Sequence, residues 1–364
     1  MREPNFERLR KVLLRQGEPD RVPFYEIFAD IEIMEAITGE PLSKLNLENR
    51  EEEEKYLRAV IKFYYDLGYD YVPGRIGRSG EVFPRGNILT ADDTAQRPHT
   101  QREWVDEHHG TIETWDDFEK YPWPKKESLD FFQMEFFEKN LPEGMKVIFL
   151  GPGGVLENIM WLMGYEIMSY KLYEDPSLIE EMANKIGSTI ADVFAGASDF
   201  KISGAITLGD DMGYKTGTMF SPEMLRKYIF PWQRKLVKIV HEHNLPFILH
   251  SCGNLEKIMD DLIDYVGIDA KHSWEDVILP VTEAKKKYGN RIAILGGVDV
   301  DFLARRSEDE IRKYVRNILE KCAPGGGYAL GTGNTVANYI PVANYLAMLD
   351  EGRKFKYMRG EDGK

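Results

Sequence analysis

Cysteine is scarce in this chain, with two in 364 residues. That excludes a disulfide framework and points to a reducing compartment, so the chain is read as cytoplasmic. Long apolar runs are missing too, and none reaches the length that spans a bilayer. The opening Met1-Arg2-Glu3-Pro4-Asn5 has no apolar core and does not read as a secretory leader. Basic residues are outnumbered, 47 Lys and Arg against 61 Asp and Glu, for a net charge of −14. A surface of that sign argues against nucleic acid as the main partner, although it leaves room for a local basic pocket. What remains is 43% hydrophobic and 30% charged, the make-up of a globular protein with one large domain or two ordinary ones.

The most informative stretch is Phe247-Ile248-Leu249-His250-Ser251-Cys252-Gly253-Asn254. An apolar run ends in a histidine and a cysteine two residues apart. Strand side chains alternate between faces, so His250 and Cys252 point the same way. A His-x-Cys pair at the end of a buried strand suits a metal site. A buried structural cysteine beside a hydrogen-bonded histidine explains it as well, and two candidate ligands need a third from elsewhere.

Read in order, the chain alternates apolar strands and amphipathic helices. Strands are expected at 22–29, 70–76, 146–150, 202–208, 247–250, 268–272, 292–295 and 328–330, each followed by helix. Ser221-Pro222 opens one helix with a serine cap and a proline in the first turn. Ser307 and Glu310 open another with a capping box. Residues 77–126 break the rhythm with Gly, Pro, Asp and Thr, and read as an inserted hairpin region. Eight βα repeats without reversal imply a parallel sheet, and favour one (β/α)8 TIM barrel over residues 1–364. Such barrels carry their active sites at the C-terminal ends of the strands. Polar residues gather there in this chain: Glu26, Asp30 and Arg75, then Asp210, Asp211, His250 and Cys252, then His272, Asp299 and Thr332.

Each has a bland reading beside the functional one. Asp210-Asp211 suits an acid/base pair or a helix-capping turn. His272 suits proton transfer or a satisfied core histidine. Asp299, after Gly296-Gly297, is placed for a substrate or cofactor contact, and Asn334 for one or for closing the last turn. Gly151-Pro152-Gly153-Gly154 suits an anion site before a helix or a tight turn. His108-His109 reads as a solvated hairpin pair and Cys322 as a packed helix residue. Trp104, Trp115 and Trp123 read mainly as packing.

The segment from Asp210 to Asn254, with Gly296-Gly297-Val298-Asp299 and Gly331-Thr332-Gly333, resembles the uroporphyrinogen decarboxylase superfamily. That superfamily holds the decarboxylases of haem synthesis and zinc-dependent methyltransferases that work on methylcobalamin. The resemblance covers nearly the whole chain and implies the same (β/α)8 barrel. The methyltransferases carry a His-x-Cys pair matching His250 and Cys252, with a third zinc ligand in a Gly-Cys-Gly where this chain has Gly331-Thr332-Gly333. The decarboxylases have Gly-His-Gly there and an arginine-rich motif near the first strand. This chain has Phe24-Tyr25-Glu26-Ile27-Phe28-Ala29-Asp30 instead, which would repel a substrate with many carboxylates.

The resemblance therefore implies zinc at His250 and Cys252 and methylcobalamin as co-substrate. A remaining ligand comes from Glu26, Asp210, Asp211 or His272. Catalytic roles are expected for Asp210, Asp211 and His272. Substrate contacts are expected for Glu26, Arg75, Asp299, Thr332 and Asn334. No corrinoid domain follows the barrel, so a corrinoid carrier is expected to be a separate protein. The alternatives are a decarboxylase of the uroporphyrinogen type and a barrel that binds a corrinoid without catalysis.

Overall fold

The computed structural model describes residues 3–86, 88–92, 101–106 and 108–357. It is a mixed α/β protein. Among the described residues eleven strands follow one another: β1 (Tyr71–Arg75), β2 (Ile88–Asp92), β3 (Gln101–Val105), β4 (Lys146–Leu150), β5 (Ser203–Gly209), β6 (Gly213–Tyr214), β7 (Gly217–Thr218), β8 (Phe247–His250), β9 (Ala270–His272), β10 (Ala293–Leu295) and β11 (Tyr328–Ala329). Seven of them make the main sheet in the order β1-β4-β5-β8-β9-β10-β11. The pairs β5–β8, β9–β10 and β10–β11 are parallel. The separate pair β2–β3 is antiparallel, with Ile88 opposite Val105, within the segment read as a hairpin. Residues 93–100 between them lie outside the described residues, as does the side chain of Trp104.

Two compact units divide the chain. The first comprises Met1–Pro73, Lys139–Ile148 and Asp269–Lys364. Its strands β9, β10 and β11 are buried throughout, as strands covered on both faces are. The expected first strand survives only as isolated bridges, Phe24 to Leu330 and Ala29 to Val336. The interruption has a chemical cause. The Tyr71 hydroxyl accepts from the Glu26 backbone N–H at 2.7 Å and donates to the Glu26 carbonyl at 2.5 Å. A side chain thus takes both groups that a ladder would use, and Pro23 has no N–H to offer.

The second unit comprises Gly74–Glu138 and Phe149–Ile268. Here β5 and β8 run side by side, with Gly209 opposite His250. The 23-residue helix Pro176–Ser198 starts with Asp175 capping Leu178 and with proline in its first turn. Ser221 caps the helix beginning at Pro222, as its sequence requires, by accepting from Met224 N. That helix does not run evenly to its end. Leu225–Ile229 is π-helical before the α-helix Phe230–Glu242 resumes. Pro231 lacks the N–H that would bond the preceding turn, and its ring crowds that turn, so the helix widens there. The segment after Cys252 differs in the same sense, being a 3-10 turn at Glu256–Ile258 and a π turn at Asp261–Val266. Trp115, Phe118, Tyr121 and Trp123 contact one another through ring edges, which fits their reading as packing.

Candidate metal centre

Parallel register brings the ends of β5 and β8 level, so the residues after them emerge together. Asp210 N donates to His250 O at 2.9 Å, continuing the ladder by one bond. Two further bonds tie the loops: Cys252 N donates to Asp211 Oδ1 at 2.7 Å, and Met212 N to Ser251 Oγ at 3.2 Å. The result is a cluster of three different donors. His250 Nε2 lies 3.6 Å from Cys252 Sγ and 3.9 Å from Asp211 Oδ1. One ligand atom from each of the three falls within 4.8 Å of the others. His250 is 9% exposed, while Asp211 and Cys252 keep partial exposure, so the cluster is reachable from solvent.

These separations can be tested against zinc. Zn–N, Zn–O and Zn–S lengths of about 2.0–2.3 Å in a tetrahedron set ligand atoms roughly 3.3–3.8 Å apart. The His250–Cys252 spacing already meets this, and Asp211 Oδ1, 3.9 Å from His250 Nε2, lies just beyond it. A nitrogen, a thiolate and a carboxylate are ordinary zinc ligands, and three of them leave a fourth position open. The donor set therefore fits the ion.

Asp210 and Asp211 separate completely. Asp211 joins the cluster, whereas Asp210 is fully buried and turned away from it, toward the start of the helix Val155–Met163. Its Oδ2 accepts from Val155 N at 3.2 Å and from Gln233 Nε2 at 2.8 Å, and its Oδ1 from Glu157 N at 3.0 Å. The glycine-rich turn before that helix does hold an anion, and the anion is the chain's own carboxylate. Gly154 makes room for it, since a Cβ there would lie 2.0 Å from Asp210 Cγ. Burial raises the Asp210 carboxyl to about 6, against the helix amides and Gln233, which favour its charged form.

Glu157 escapes sequence reading. It begins that helix and reaches back to accept from Gly154 N at 3.3 Å and from the Asp211 backbone N–H. Burial, then the neighbouring Asp211 and Asp210, push its carboxyl well above the ordinary value. Part of the residue is still exposed, but the carboxyl is enclosed, which disfavours its charged form. The only signal in the sequence is a glutamate at the third helical position after a glycine turn. Nothing in the pattern says that another loop's carboxylates lie against it.

A second polar cluster lies in the first unit. Thr332 N donates to Glu26 Oε1 at 2.9 Å, and Thr332 Oγ1 lies 2.5 Å from Glu26 Oε2 and 3.0 Å from Asn334 O. The single hydroxyl proton of Thr332 is shared between two acceptors, Glu26 Oε2 and Asn334 O. Burial raises Glu26 to about 8, against the Thr332 hydrogen bonds, which favour its charged form. Both glycines flanking Thr332 are sterically required. A Cβ at Gly331 would meet Tyr25 O at 1.7 Å, and one at Gly333 would meet Trp274 O at 2.4 Å. His272 is fully buried, with Nε2 3.0 Å from Thr332 O.

The other predicted residues have identifiable places. Asp299 caps the helix Val300–Arg305 through Phe302 N and also accepts from Asp276 N. Arg75, in the second unit, gives its backbone N–H to Gln133 Oε1 and stays partly exposed. His108 and His109 are exposed, and His108 Nδ1 meets Glu166 at 2.7 Å. Cys322 is buried in its helix, where desolvation raises the thiol to about 12. Among the described residues no helix is long and apolar enough to cross a membrane.

Known proteins share both the sequence pattern and the fold. The "Uroporphyrinogen decarboxylase (URO-D)" family profile matches residues 134–355. Uroporphyrinogen decarboxylase of Actinobacillus succinogenes is 26% identical over 187 residues, 49% of this chain and 49% of that protein. The methylcobamide:CoM methyltransferase MtaA of Methanosarcina barkeri is 27% identical over 170 residues, 46% of this chain and 47% of that protein. The matched segment spans about half the length of these curated relatives. A methyltransferase from Methanosarcina mazei superposes with a TM-score of 0.70 over 97% of this chain and 99% of that one at 16% identity, which establishes a common fold. The chain belongs to the uroporphyrinogen decarboxylase family, and its relatives include both decarboxylases and a methyltransferase.

Proposed function

We propose that this protein is a zinc-dependent methyltransferase that moves a methyl group between a corrinoid, methylcobalamin, and a small acceptor. The observation that carries the proposal is the convergence of Asp211, His250 and Cys252. The M. barkeri relative, named for transfer from a methylcobamide, supports it. The eighth strand of a (β/α)8 arrangement is supplied in this reading by the Phe24 and Ala29 bridges.

The chain's own residues do the following. His250 offers Nε2 and Cys252 offers a thiolate. Asp211 supplies a carboxylate that the Cys252 N–H holds in place. Zinc, when bound, would act as a Lewis acid on the group that takes the open position. A set with one thiolate donates less charge than a set with two, so the metal polarises its fourth ligand more strongly. The reading therefore favours an acceptor other than the usual thiol. Asp210 holds the helix start behind Asp211, and Glu157 restrains the Asp211 backbone, both as positioning residues. Arg75, which keeps partial exposure in the same unit as the metal cluster, is the substrate contact this proposal favours. The side chains of Glu26, Thr332 and Asp299 are engaged in the fold itself. A separate corrinoid carrier protein is the expected partner.

Metal analysis tests the proposal. Purified protein supplied with zinc should hold about one ion per chain, as a catalytic site does, and His250→Ala and Cys252→Ala should lose it. Methyl exchange with methylcobalamin should follow the metal. Protein that never retains zinc, or that decarboxylates a porphyrinogen without metal, would sink this reading in favour of the decarboxylase.

A further inference from the structure

A second candidate ligand site lies in the first unit, with none of the metal-centre residues in its walls. The helix Glu308–Cys322 and the end of the helix Val342–Lys354, with the residues that follow it, enclose a cavity of about 530 Å³. That volume is typical of small-molecule sites. Leu319, Pro324 and Phe355 form its apolar walls, and Tyr357 stands edge-on to Phe355 with ring centroids 5.6 Å apart.

Two observations point to a ligand rather than to packing. The Tyr357 hydroxyl is buried with no hydrogen-bond partner among the described residues. Buried hydroxyls in folded proteins are nearly always bonded, so this one lacks an acceptor. Burial also keeps the phenol protonated, which leaves it a donor. The second observation is the distribution of charge. Arg316 pairs with Glu351 at 3.0 Å, and Lys354 with Asp350 at 2.6 Å. Glu18 accepts from Gly325 N, and Glu320 is exposed to solvent. Lys356, exposed at the cavity wall, makes no ion pair among the described residues.

We propose that this cavity binds a small planar aromatic acid. Its ring would lie between Leu319, Pro324 and Phe355. An acceptor oxygen would receive the Tyr357 O–H, and its carboxylate or sulfonate would meet Lys356. The site is independent of the methyl-transfer proposal and stands if that reading fails.

The test uses 8-anilinonaphthalene-1-sulfonate, an aromatic sulfonate whose fluorescence rises on binding, titrated into the native protein. Saturable binding at one site per chain is expected. Lys356→Glu and Tyr357→Phe should each weaken it by about fivefold or more, the effect of losing one hydrogen bond or ion pair to a charged group. Both variants should fold, because Lys356 is exposed and Tyr357→Phe removes a single oxygen. Near-ultraviolet circular dichroism checks this. Lys238→Glu, on the helix Phe230–Glu242 and outside the cavity, should leave the affinity unchanged. Absence of binding at millimolar probe overturns the proposal. So does binding that Lys356→Glu and Tyr357→Phe leave alone, whether or not Lys238→Glu weakens it.

Discussion

The cluster around His250 and the cluster around Glu26 are built from similar materials and end in opposite states. In the first, Asp211 and Cys252 keep partial access to solvent beside His250, and the three ligand atoms lie within 4.8 Å of one another. In the second, Glu26 is 1% exposed and every polar atom of its carboxyl is engaged by Thr332. A polar residue at a strand end is therefore no guide to function by itself. Spare donor capacity and access separate a site from a strut, and neither is written in residue type.

The sharpest way to break the contrast is to remove ligands on one side of it. His250→Ala and Cys252→Ala should take the zinc content from about one per chain to near zero, read by elemental analysis. Asp211→Ala should weaken zinc by at least about tenfold in a chelator competition. Equal zinc retention in all three variants would remove the distinction drawn here.

The Glu26 cluster makes the opposite prediction, visible in stability and silent in metal content. Its carboxyl is raised from an ordinary 4.5 to about 8 in the folded chain. Its contribution is therefore complete below pH 4.5 and declines as pH rises toward 8, because the unfolded chain gives up the proton first. At about 1.36 kcal/mol per unit, the decline amounts to as much as ~5 kcal/mol. Glu26→Gln keeps an acceptor for Thr332 N without ionising. Urea unfolding between pH 5 and 8 should show a falling midpoint in the wild type and a flatter one in the variant. Parallel curves would mean that Glu26 is already ionised.

Asp210 and Asp211 sharpen the contrast within two adjacent residues. Asp210→Ala strips the acceptor from the Val155 and Glu157 N–H groups and from Gln233. It should cost about 2–4 kcal/mol in equilibrium unfolding, as a lost cap plus an orphaned buried donor. Asp211→Ala should leave stability nearly unchanged. The smallest effect is expected at Glu157. Glu157→Gln preserves a neutral acceptor for Gly154 N and Asp211 N and should shift zinc affinity by less than about threefold. Glu157→Ala frees the Asp211 backbone and should weaken zinc by roughly tenfold.

Much of the local structure was legible because it depends on nearest neighbours. The period of two put His250 and Cys252 on one face, and the two side chains do meet. Ser221 and the Ser307–Glu310 box marked helix starts that the structure shows, since a cap bonds amides within its own first turn. The strands β4 and β8 run over the very residues expected, because continuous apolar runs between turns leave little choice. The first strand was misjudged: its apolar pattern is a strand's, but Tyr71, 45 residues away, takes the backbone groups of Glu26. The π turns escaped for a related reason. Pro231 marks where a helix cannot continue regularly, without saying whether it will break or widen.

The sequence alone determined the alternation of strands and helices, the caps, and the pairing of His250 with Cys252, because each follows from periodicity or from bonds spanning a few residues. Tertiary structure decided which aspartate joins that pair and which one caps a helix. It also decided that Glu157 stands behind them and that Thr332 meets the buried carboxyl of Glu26. These depend on the register of β5 against β8 and on the approach of Glu26 to Thr332 across 306 residues of chain. Such distances between chain segments are set by packing of the whole fold, and no local rule encodes them.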